Sequence, residues 1–348
     1  MKRTIFLLSE PDLRDFVARL FMARGMSRDA GDAVARVLVW ADLRGGDTHG
    51  VSRIGHYFGM IDKGAMKPAA KPRLRVDFGA LAAFDAEGAA GPVAMFAALA
   101  EAQARARAHG IGLALVGGAT HAGAMGCYAE AAARAGFAAI VIAAGPPLMA
   151  YHGARVASVS TAPLAIAVPG GPEGVILLDM ASSRISNGAL KNARRDGKAL
   201  PEGAALDATG RETIDPAQAG VLLPVGGPKG SGFALMVECL TSLLAGAPIL
   251  SRMLGEGQKG HGQNATIILI DIARLRATQD FTVDVDMLAG IVKTLPLAEG
   301  AQPIRLPGER GAGLARQRAR DGVPVSPKVW AELVELAHIH HVTVPATA

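Results

Sequence analysis

The first sixty positions place apolar residues three and four apart. This spacing over residues 10–24 and 27–43 predicts two helices, each burying one side. Val51, Ile54, Phe58 and Ile61 continue the pattern, so a third helix is expected, with Asp47 or Thr48 as its cap. Beyond Lys67-Pro68 a turn-rich stretch leads to a long alanine-rich helix at 92–108. The pattern then changes. Short apolar runs at 111–116, 137–143, 164–168 and 175–179 predict buried strands of one sheet, with a helix at 125–135 between the first two. Residues 184–220 are polar, and Pro201-Glu202-Gly203 and Asp207-Ala208-Thr209-Gly210 are turn signals, so an exposed excursion with one short helix is expected, able to cover a site. Residues 233–245 predict a buried helix and 265–272 another strand. Helices return at 284–295, at the Arg-rich 311–320, and after Ser326-Pro327, a cap followed by a first-turn proline. Helices at both ends predict an α/β chain in which residues 1–70 and 300–348 build a helical domain and residues 71–299 form a sheet domain inserted in it. No internal repeat is visible.

Composition narrows the class. With 348 residues the chain exceeds the roughly 250–300 at which single cores stop growing, which suits two domains. Half the residues are hydrophobic, only 4% are aromatic and 43 are glycine, a composition of helices packed closely on sheets in a cytoplasmic α/β enzyme. The net charge of +5 comes without a basic run or an aromatic-rich basic strand, which argues against a nucleic-acid partner. A mild positive field favours small anionic ligands, or is a bystander. Cys127 and Cys239, both expected to be buried, have no Cys-x-x-Cys spacing, so neither a disulfide framework nor a cysteine zinc site is indicated. The apolar run after Met1-Lys2-Arg3 is too short for a signal peptide, and no stretch reaches the roughly 18 apolar residues of a membrane span.

Four segments carry candidate chemistry. In Asp47-Thr48-His49-Gly50-Val51-Ser52-Arg53, an imidazole and a guanidinium four residues apart are expected on one helical face, beside free N–H groups: a seat for an organic acid with a proton donor next to it. Thr120-His121-Ala122-Gly123-Ala124-Met125-Gly126 follows a predicted strand, and its small residues let a planar ligand approach the backbone. Gly226-Gly227-Pro228-Lys229-Gly230-Ser231-Gly232 is a glycine loop at a helix start whose lysine can pair with phosphate, although its order is not that of a Walker A loop. Asp179-Met180-Ala181 ends a strand where an acid can meet a ribose or a nicotinamide. Each has a plainer reading as an ordinary turn. No Gly-x-Gly-x-x-Gly follows a strand, so a Rossmann site is unsupported. His338, His340 and His341 invite a zinc-hydrolase reading, but no His-Glu-x-x-His spacing occurs and no metal is expected.

Taken together these segments resemble the malate/L-lactate dehydrogenase family that is unrelated to the Rossmann enzymes of similar name, and which includes ureidoglycolate dehydrogenase, sulfolactate dehydrogenase, diketogulonate reductase and the Δ1-piperideine-2-carboxylate reductases. The matching motifs run in order along nearly the whole chain: Ala41-Asp42-Leu43-Arg44-Gly45 through Arg53, His121 to Tyr128, Ser160-Thr161-Ala162-Pro163, Leu178-Asp179-Met180-Ala181, Leu200-Pro201-Glu202-Gly203, Gly226-Gly227-Pro228-Lys229-Gly230 and Leu306-Pro307-Gly308-Glu309-Arg310. The resemblance implies a non-Rossmann nicotinamide-binding fold, a homodimer, NAD or NADP as cofactor, and hydride transfer to or from C2 of a small 2-oxo or 2-hydroxy acid. Cyclic imino acid reduction and a catalytically weak nucleotide-binding relative are the alternatives.

By the same resemblance His49 is proton donor or acceptor with Thr48 orienting it, or His121 takes that role, and the imidazole is expected to titrate near neutrality. Arg53 binds the substrate carboxylate and Thr161 touches substrate. The cofactor positions are His121, Ala122, Gly123, Ala124 and Met125, then Asp179, Met180 and Ala181, then Lys229 and Gly230, then Pro307, Gly308, Glu309 and Arg310. Departures gather around the substrate. Ala189 stands where many members have lysine and the imine reductases aspartate, with Lys191 two residues later. Ala162 replaces an asparagine, and Ala122 an aromatic residue. They weaken the case for malate and lactate as substrates and leave the cofactor assignment intact.

Overall fold

The computed structural model describes residues 5–247 and 262–347; the start of the segment read as too short for a signal peptide, Met1 to Thr4, lies outside them. Two helices open the chain, α1 (Glu10–Met22) and α2 (Arg28–Leu43), capped by Ser9 and Ser27, whose hydroxyls accept from Asp12 N and Ala30 N. Their apolar stripes, with Leu13, Phe16, Leu20, Val34 and Leu38 fully buried, meet α3 (Ile54–Asp62) in one helical core. The C-terminal segment joins that core. Phe6–Leu8 pairs antiparallel with Val323–Val325, and Trp330, whose ring centroid lies 5.7 Å from Phe6 and 6.0 Å from Phe16, closes it from a late helix.

The second core is a seven-stranded mixed sheet. Its strands are β1 (Arg73–Phe78), β2 (Leu81–Asp85), β3 (Ile111–Ala119), β4 (Phe137–Ala144), β5 (Leu164–Pro169), β6 (Val175–Met180) and β7 (Gln263–Asp271). The spatial order is β1-β2-β3-β7-β4-β5-β6, with only β2 and β3 parallel. All four apolar runs read as strands lie in this sheet, and the fifth, β7, is inserted between the first two. Helix α4 (Gly91–His109), which makes the parallel β2–β3 crossover, and α5 (Met125–Arg134) cover one face through fully buried alanines and Met95 and Tyr128.

Three expectations are corrected here. Residues 73–85, read as turn-rich, contain β1 and β2; the first is an edge strand with every residue exposed, so its Arg and Asp positions hide the apolar pattern. Residues 233–245 are not a buried helix: α7 (Pro228–Glu238) runs into a π-helical turn, Cys239–Leu243, and Leu235, Met236, Leu240, Leu243 and Leu244 face solvent. Cys239 is only half-buried, whereas Cys127 is fully covered.

The polar excursion carries the expected short helix, α6 (Asn187–Asp196), capped by Ser186. It is folded over a third apolar cluster containing Ile142, Leu190, Leu200 and Val237, beside a small sheet made by residues 149–150, 157–159, 205–206 and 221–222. Helices α8 (Thr278–Lys293), α9 (Glu309–Asp321) and α10 (Pro327–Ile339) complete the described chain. No helix among the described residues is long and apolar enough to cross a membrane.

Candidate active site

The segment after α2 does not form the expected helix start. Asp47–His49 and Val51–Arg53 are two 3-10 turns separated by an extended Gly50, α3 begins only at Ile54, and neither Asp47 nor Thr48 caps it. The reason lies beneath the loop. The buried carboxylate of Asp42 accepts from Val51 N at 2.8 Å, and a Cβ on Gly50 would lie 1.7 Å from its Oδ1, so the backbone is drawn onto α2 where a continuous helix would lift it away. Burial pushes Asp42 up to about 8, with the Val51 N–H pulling the other way, so near neutrality the loop rests on a largely uncharged carboxyl.

His49 and Arg53 therefore do not stack one helical turn apart, yet the loop still gathers them. Arg53 Nε donates to the Thr48 carbonyl at 2.6 Å, and Thr48 Oγ1 lies 3.1 Å from His49 Nδ1. The His49 ring stacks against His121, with centroids 5.8 Å apart and planes 24° from parallel. Burial, reinforced by the Arg53 cation, holds His49 down to about 4. His121 is pushed well below its ordinary value by burial first and then by His49, Arg53 and His56. The expected near-neutral imidazole is thus replaced by two whose surroundings both disfavour the charged form.

Thr48 and His49, adjacent in sequence, open onto different cavities. His49 lines a cleft of about 290 Å³ with Trp40, Arg44, Ala124, Asp179, Gly308 and Arg310. Thr48 lines a second cavity, about 680 Å³, with Arg53, His56, Lys191, Arg195 and Lys328. The loop from Gly46 to His49 borders both, Gly46 and His49 on the first and Asp47 and Thr48 on the second.

The first cleft is held by backbone. Asp179 Oδ2 accepts from Gly126 N at 3.1 Å, and a Cβ on Gly126 would come within 2.5 Å of that oxygen. Burial lifts Asp179 to about 6 against the pull of that N–H and of Arg44. Across the cleft Gly308, at φ 80°, lies against Leu177, and Leu177 N donates to Pro307 O at 3.3 Å. Arg44, itself 3.2 Å from Glu130, donates to Gly308 O at 3.1 Å and so ties this loop to α2.

The profile of the malate/L-lactate dehydrogenase family matches residues 8–334. The chain belongs to that family. It is 29% identical over 332 residues to 2,3-diketo-L-gulonate reductase of Citrobacter koseri, covering 93% of this chain and 98% of the relative. It is 30% identical over 335 residues to malate dehydrogenase of Pyrococcus horikoshii, covering 93% of each. The crystal structure of malate dehydrogenase from Entamoeba histolytica superposes with a TM-score of 0.94 over 99% of this chain and all of that one; at 24% identity it speaks for the fold. Membership of the malate/L-lactate dehydrogenase family makes the chain an oxidoreductase.

The positions singled out from the sequence fall unevenly around the two cavities of this family member. Ala124, Asp179, Pro307, Gly308 and Arg310 reach the first cleft. Ala122 and Met125 are buried behind it, Ala122 N donating to Gln263 Oε1, while Gly123, at φ 74°, packs on Val37. Glu309 turns away, accepting from Leu306 N and pairing with Lys293. Met180 is partly exposed beside Ala181, and Lys229 and Gly230 lie beyond them, Gly230 closing against the Ser182 carbonyl; none of these four lines either cavity. Thr161 lines neither cavity, its carbonyl accepting from Ser182 N and Oγ.

Further site residues escaped the sequence reading, Tyr57 and His56 among them. Tyr57 Oη lies 2.8 Å from His121 Nδ1 and 3.0 Å from the His121 carbonyl; Tyr57 fits the apolar spacing of α3, which hides its hydroxyl. His56, whose ring centroid is 6.5 Å from that of His121, lines the second cavity. Its adjacency to Tyr57 on a helix following the His49 loop was the available signal. Among the described residues no group of three or more His, Cys, Asp or Glu side chains is arranged to hold a metal ion.

Proposed function

We propose that this protein is an NAD(P)-dependent oxidoreductase that transfers hydride to or from C2 of a small 2-oxo or 2-hydroxy acid, with the nucleotide in the Asp179 cleft and the acid in the Arg53 cavity. The observation that carries the reading is the Thr48-His49 pair: a reaction between two bound molecules needs a proton-handling group where their sites meet, and this dipeptide borders both. The cleft suits a nicotinamide nucleotide, since it is floored by Ala124 and Gly308, where a planar group can approach the backbone, and carries Asp179, whose burial favours a hydrogen-bonding partner. When bound, the nicotinamide supplies or accepts the hydride. Of the positions expected to hold it, Ala124, Asp179, Pro307, Gly308 and Arg310 line this cleft and are its assigned contacts.

The chain's own residues then divide the remaining work. The terminal nitrogens of Arg53 have no hydrogen-bond or ion-pair partner among the described residues, which leaves them free to hold a carboxylate by two parallel bonds. That grip fixes which face of C2 is presented, and such positioning can lower a barrier by several kcal/mol. Thr48 Oγ1 engages His49 Nδ1 and aims Nε2 at the C2 oxygen. His49, neutral in the free protein, takes the proton from a 2-hydroxy acid as hydride leaves. In reduction it returns that proton to the forming alkoxide, and the bound carboxylate, by offsetting the Arg53 charge, raises its affinity for the proton.

Homodimeric assembly and a cytoplasmic location belong to the same proposal. The solvent-facing Leu235, Met236, Leu240, Leu243 and Leu244 support the first, and sedimentation measures it. The decisive test is oxidation of NADH and of NADPH against a panel of 2-oxo acids and cyclic imino acids. Turnover of 2-oxo acids is expected, with His49→Ala cutting kcat by roughly a hundredfold or more while the nucleotide dissociation constant moves little. Nucleotide binding without turnover of any panel member would instead favour a regulatory relative.

A further inference from the structure

On the α2 side of the Asp179 cleft stand two large side chains, Trp40 and Arg44. Trp40 comes just before the run from Ala41 to Arg53 and has no task in the function proposed above. It packs against the sheet core, yet it is only half-buried. Three contacts fix its ring. Nε1 donates to Glu130 Oε2 at 2.7 Å. The far end meets the first turn of α5, where a Cβ on Gly126 would come within 2.7 Å of Trp40 Cη2 and 2.5 Å of Asp179 Oδ2. The Arg44 guanidinium lies 5.0 Å from the ring centroid and is itself tethered to the Gly308 carbonyl. An indole held at both ends and by a cation cannot swing freely, so it meets the cleft in one orientation.

Glu130 anchors this arrangement from behind. Trp40 and Arg44 line both the Asp179 cleft and a rear cavity of about 310 Å³, whereas the buried Glu130 lines the rear cavity alone. Besides the indole, its Oε2 accepts from Arg44 at 3.2 Å, and its Oε1 accepts from Arg134 Nε and Nη2 at 3.1 and 2.6 Å. Charge-assisted bonds of this kind hold their partners more firmly than neutral ones. Glu130 does not reach the cleft, so it acts on a molecule bound there only through the side chains it holds.

We propose that Trp40 is a nucleotide-contacting residue whose indole packs against a flat ring of the dinucleotide, and that Glu130 is a positioning residue that keeps the indole in place for it. This rests on the function proposed above, which puts the nucleotide in this cleft. A nicotinamide dinucleotide carries a flat ring at each end, adenine and nicotinamide, and stacking is the chemistry they share. Losing one such stack weakens binding by roughly tenfold or more.

The test measures dissociation constants of NADH and NADPH by calorimetry on the whole protein, with KM for the 2-oxo acid alongside. Trp40→Leu keeps apolar bulk and loses the flat ring. It should weaken the nucleotide by roughly tenfold or more, with KM for the acid within about threefold. Trp40→Phe keeps a ring and should recover most of that loss. Glu130→Gln keeps an acceptor for the indole and removes the charge; it should weaken the nucleotide by about threefold to tenfold, but by less than about twofold in a Trp40→Leu background. ADP-ribose and reduced nicotinamide mononucleotide each carry one of the two rings, and the one whose affinity falls in Trp40→Leu is the one that lies on the indole. Unchanged nucleotide affinity in Trp40→Leu, an equal loss in Trp40→Phe, or an equal rise in KM for the acid overturns the contact while leaving hydride transfer standing. No effect of Glu130→Gln, or the same effect in both backgrounds, overturns the positioning role. No binding of either nucleotide by the unaltered protein overturns the functional reading itself, and the contact with it.

Discussion

The two cavities on either side of Thr48-His49 are built from different materials. The Asp179 cleft is made where backbone meets backbone: Gly126 against a buried carboxylate, Gly308 against Leu177, and Arg44 clamping a carbonyl. The Arg53 cavity is walled by long charged side chains, Lys191, Arg195 and Lys328, on two helices that belong to different parts of the chain. A wall of backbone tolerates little change, because any added atom collides. A wall of extended side chains can be rewritten by single substitutions without disturbing the fold. This contrast fits the spread of named activities among the relatives, a diketogulonate reductase and a malate dehydrogenase at similar identity.

Two glycines put the contrast to its hardest test. Gly188→Ala would drive a methyl into Thr48, and Gly126→Ala would drive one into Asp179 and Trp40. The first should raise KM for the acid by about tenfold to a hundredfold with nucleotide affinity within about threefold; the second should reverse the assignment, weakening the nucleotide by a similar factor. Fluorescence titration with the reduced nucleotide, alongside steady-state kinetics, separates the two. Both variants damaging both ligands equally would show that the cavities are one site.

A smaller effect is expected in the pH dependence. Oxidation needs His49 neutral, and His49 is held near 4, so kcat/KM for a 2-hydroxy acid should stay level from neutrality down to about pH 5 and fall as pH drops through about 4. Removing the cation favours the charged imidazole. Arg53→Ala should therefore shift that acid limb upward, toward the ordinary histidine value of about 6.5, besides raising KM for the acid. An acid limb already near 6.5 in the unaltered protein would show that His49 is not as dry as its burial implies.

The smallest effect lies away from both cavities. His341 follows α10 with φ 54°, a conformation that costs an L-residue about 1 kcal/mol and glycine almost nothing. His341→Gly should stabilise the protein by up to about 1 kcal/mol in urea titration and leave turnover unchanged. Loss of activity there would revive a role for the C-terminal histidines.

How much of this could be read in advance depended on what each residue packs against. The runs at 111–116, 137–143, 164–168 and 175–179 were legible because strands inside a covered sheet must be apolar throughout. The edge strand Arg73–Phe78 was not, since every one of its residues is exposed among the described residues. The His49 loop was visible as a group of residues, but its backbone was not: Val51, Ile54, Phe58 and Ile61 keep helical spacing although Val51 lies in a 3-10 turn, and the buried Asp42 that bends the loop comes from the preceding helix. Lys191 was visible as a residue and its direction was not, because the phase of α6 is fixed by contact between Gly188 and Thr48, a pairing 140 positions apart. The segments around Gly123, Gly226 and Gly308, being local glycine geometry, were the easiest to see.

Tyr57 settles a question of hydrogen ownership. A phenol has a single hydrogen to give, and here it faces two acceptors, His121 Nδ1 and the carbonyl of the same residue. Handing it to the ring would leave two oxygens 3.0 Å apart with lone pair against lone pair. Handing it to the carbonyl satisfies every group, on condition that Nδ1 brings a hydrogen of its own. The ring then carries its free electron pair on Nε2, and the same phenol ties ring and main chain together, so the imidazole cannot flip to offer a hydrogen there without shifting the strand-to-helix connection that carries it.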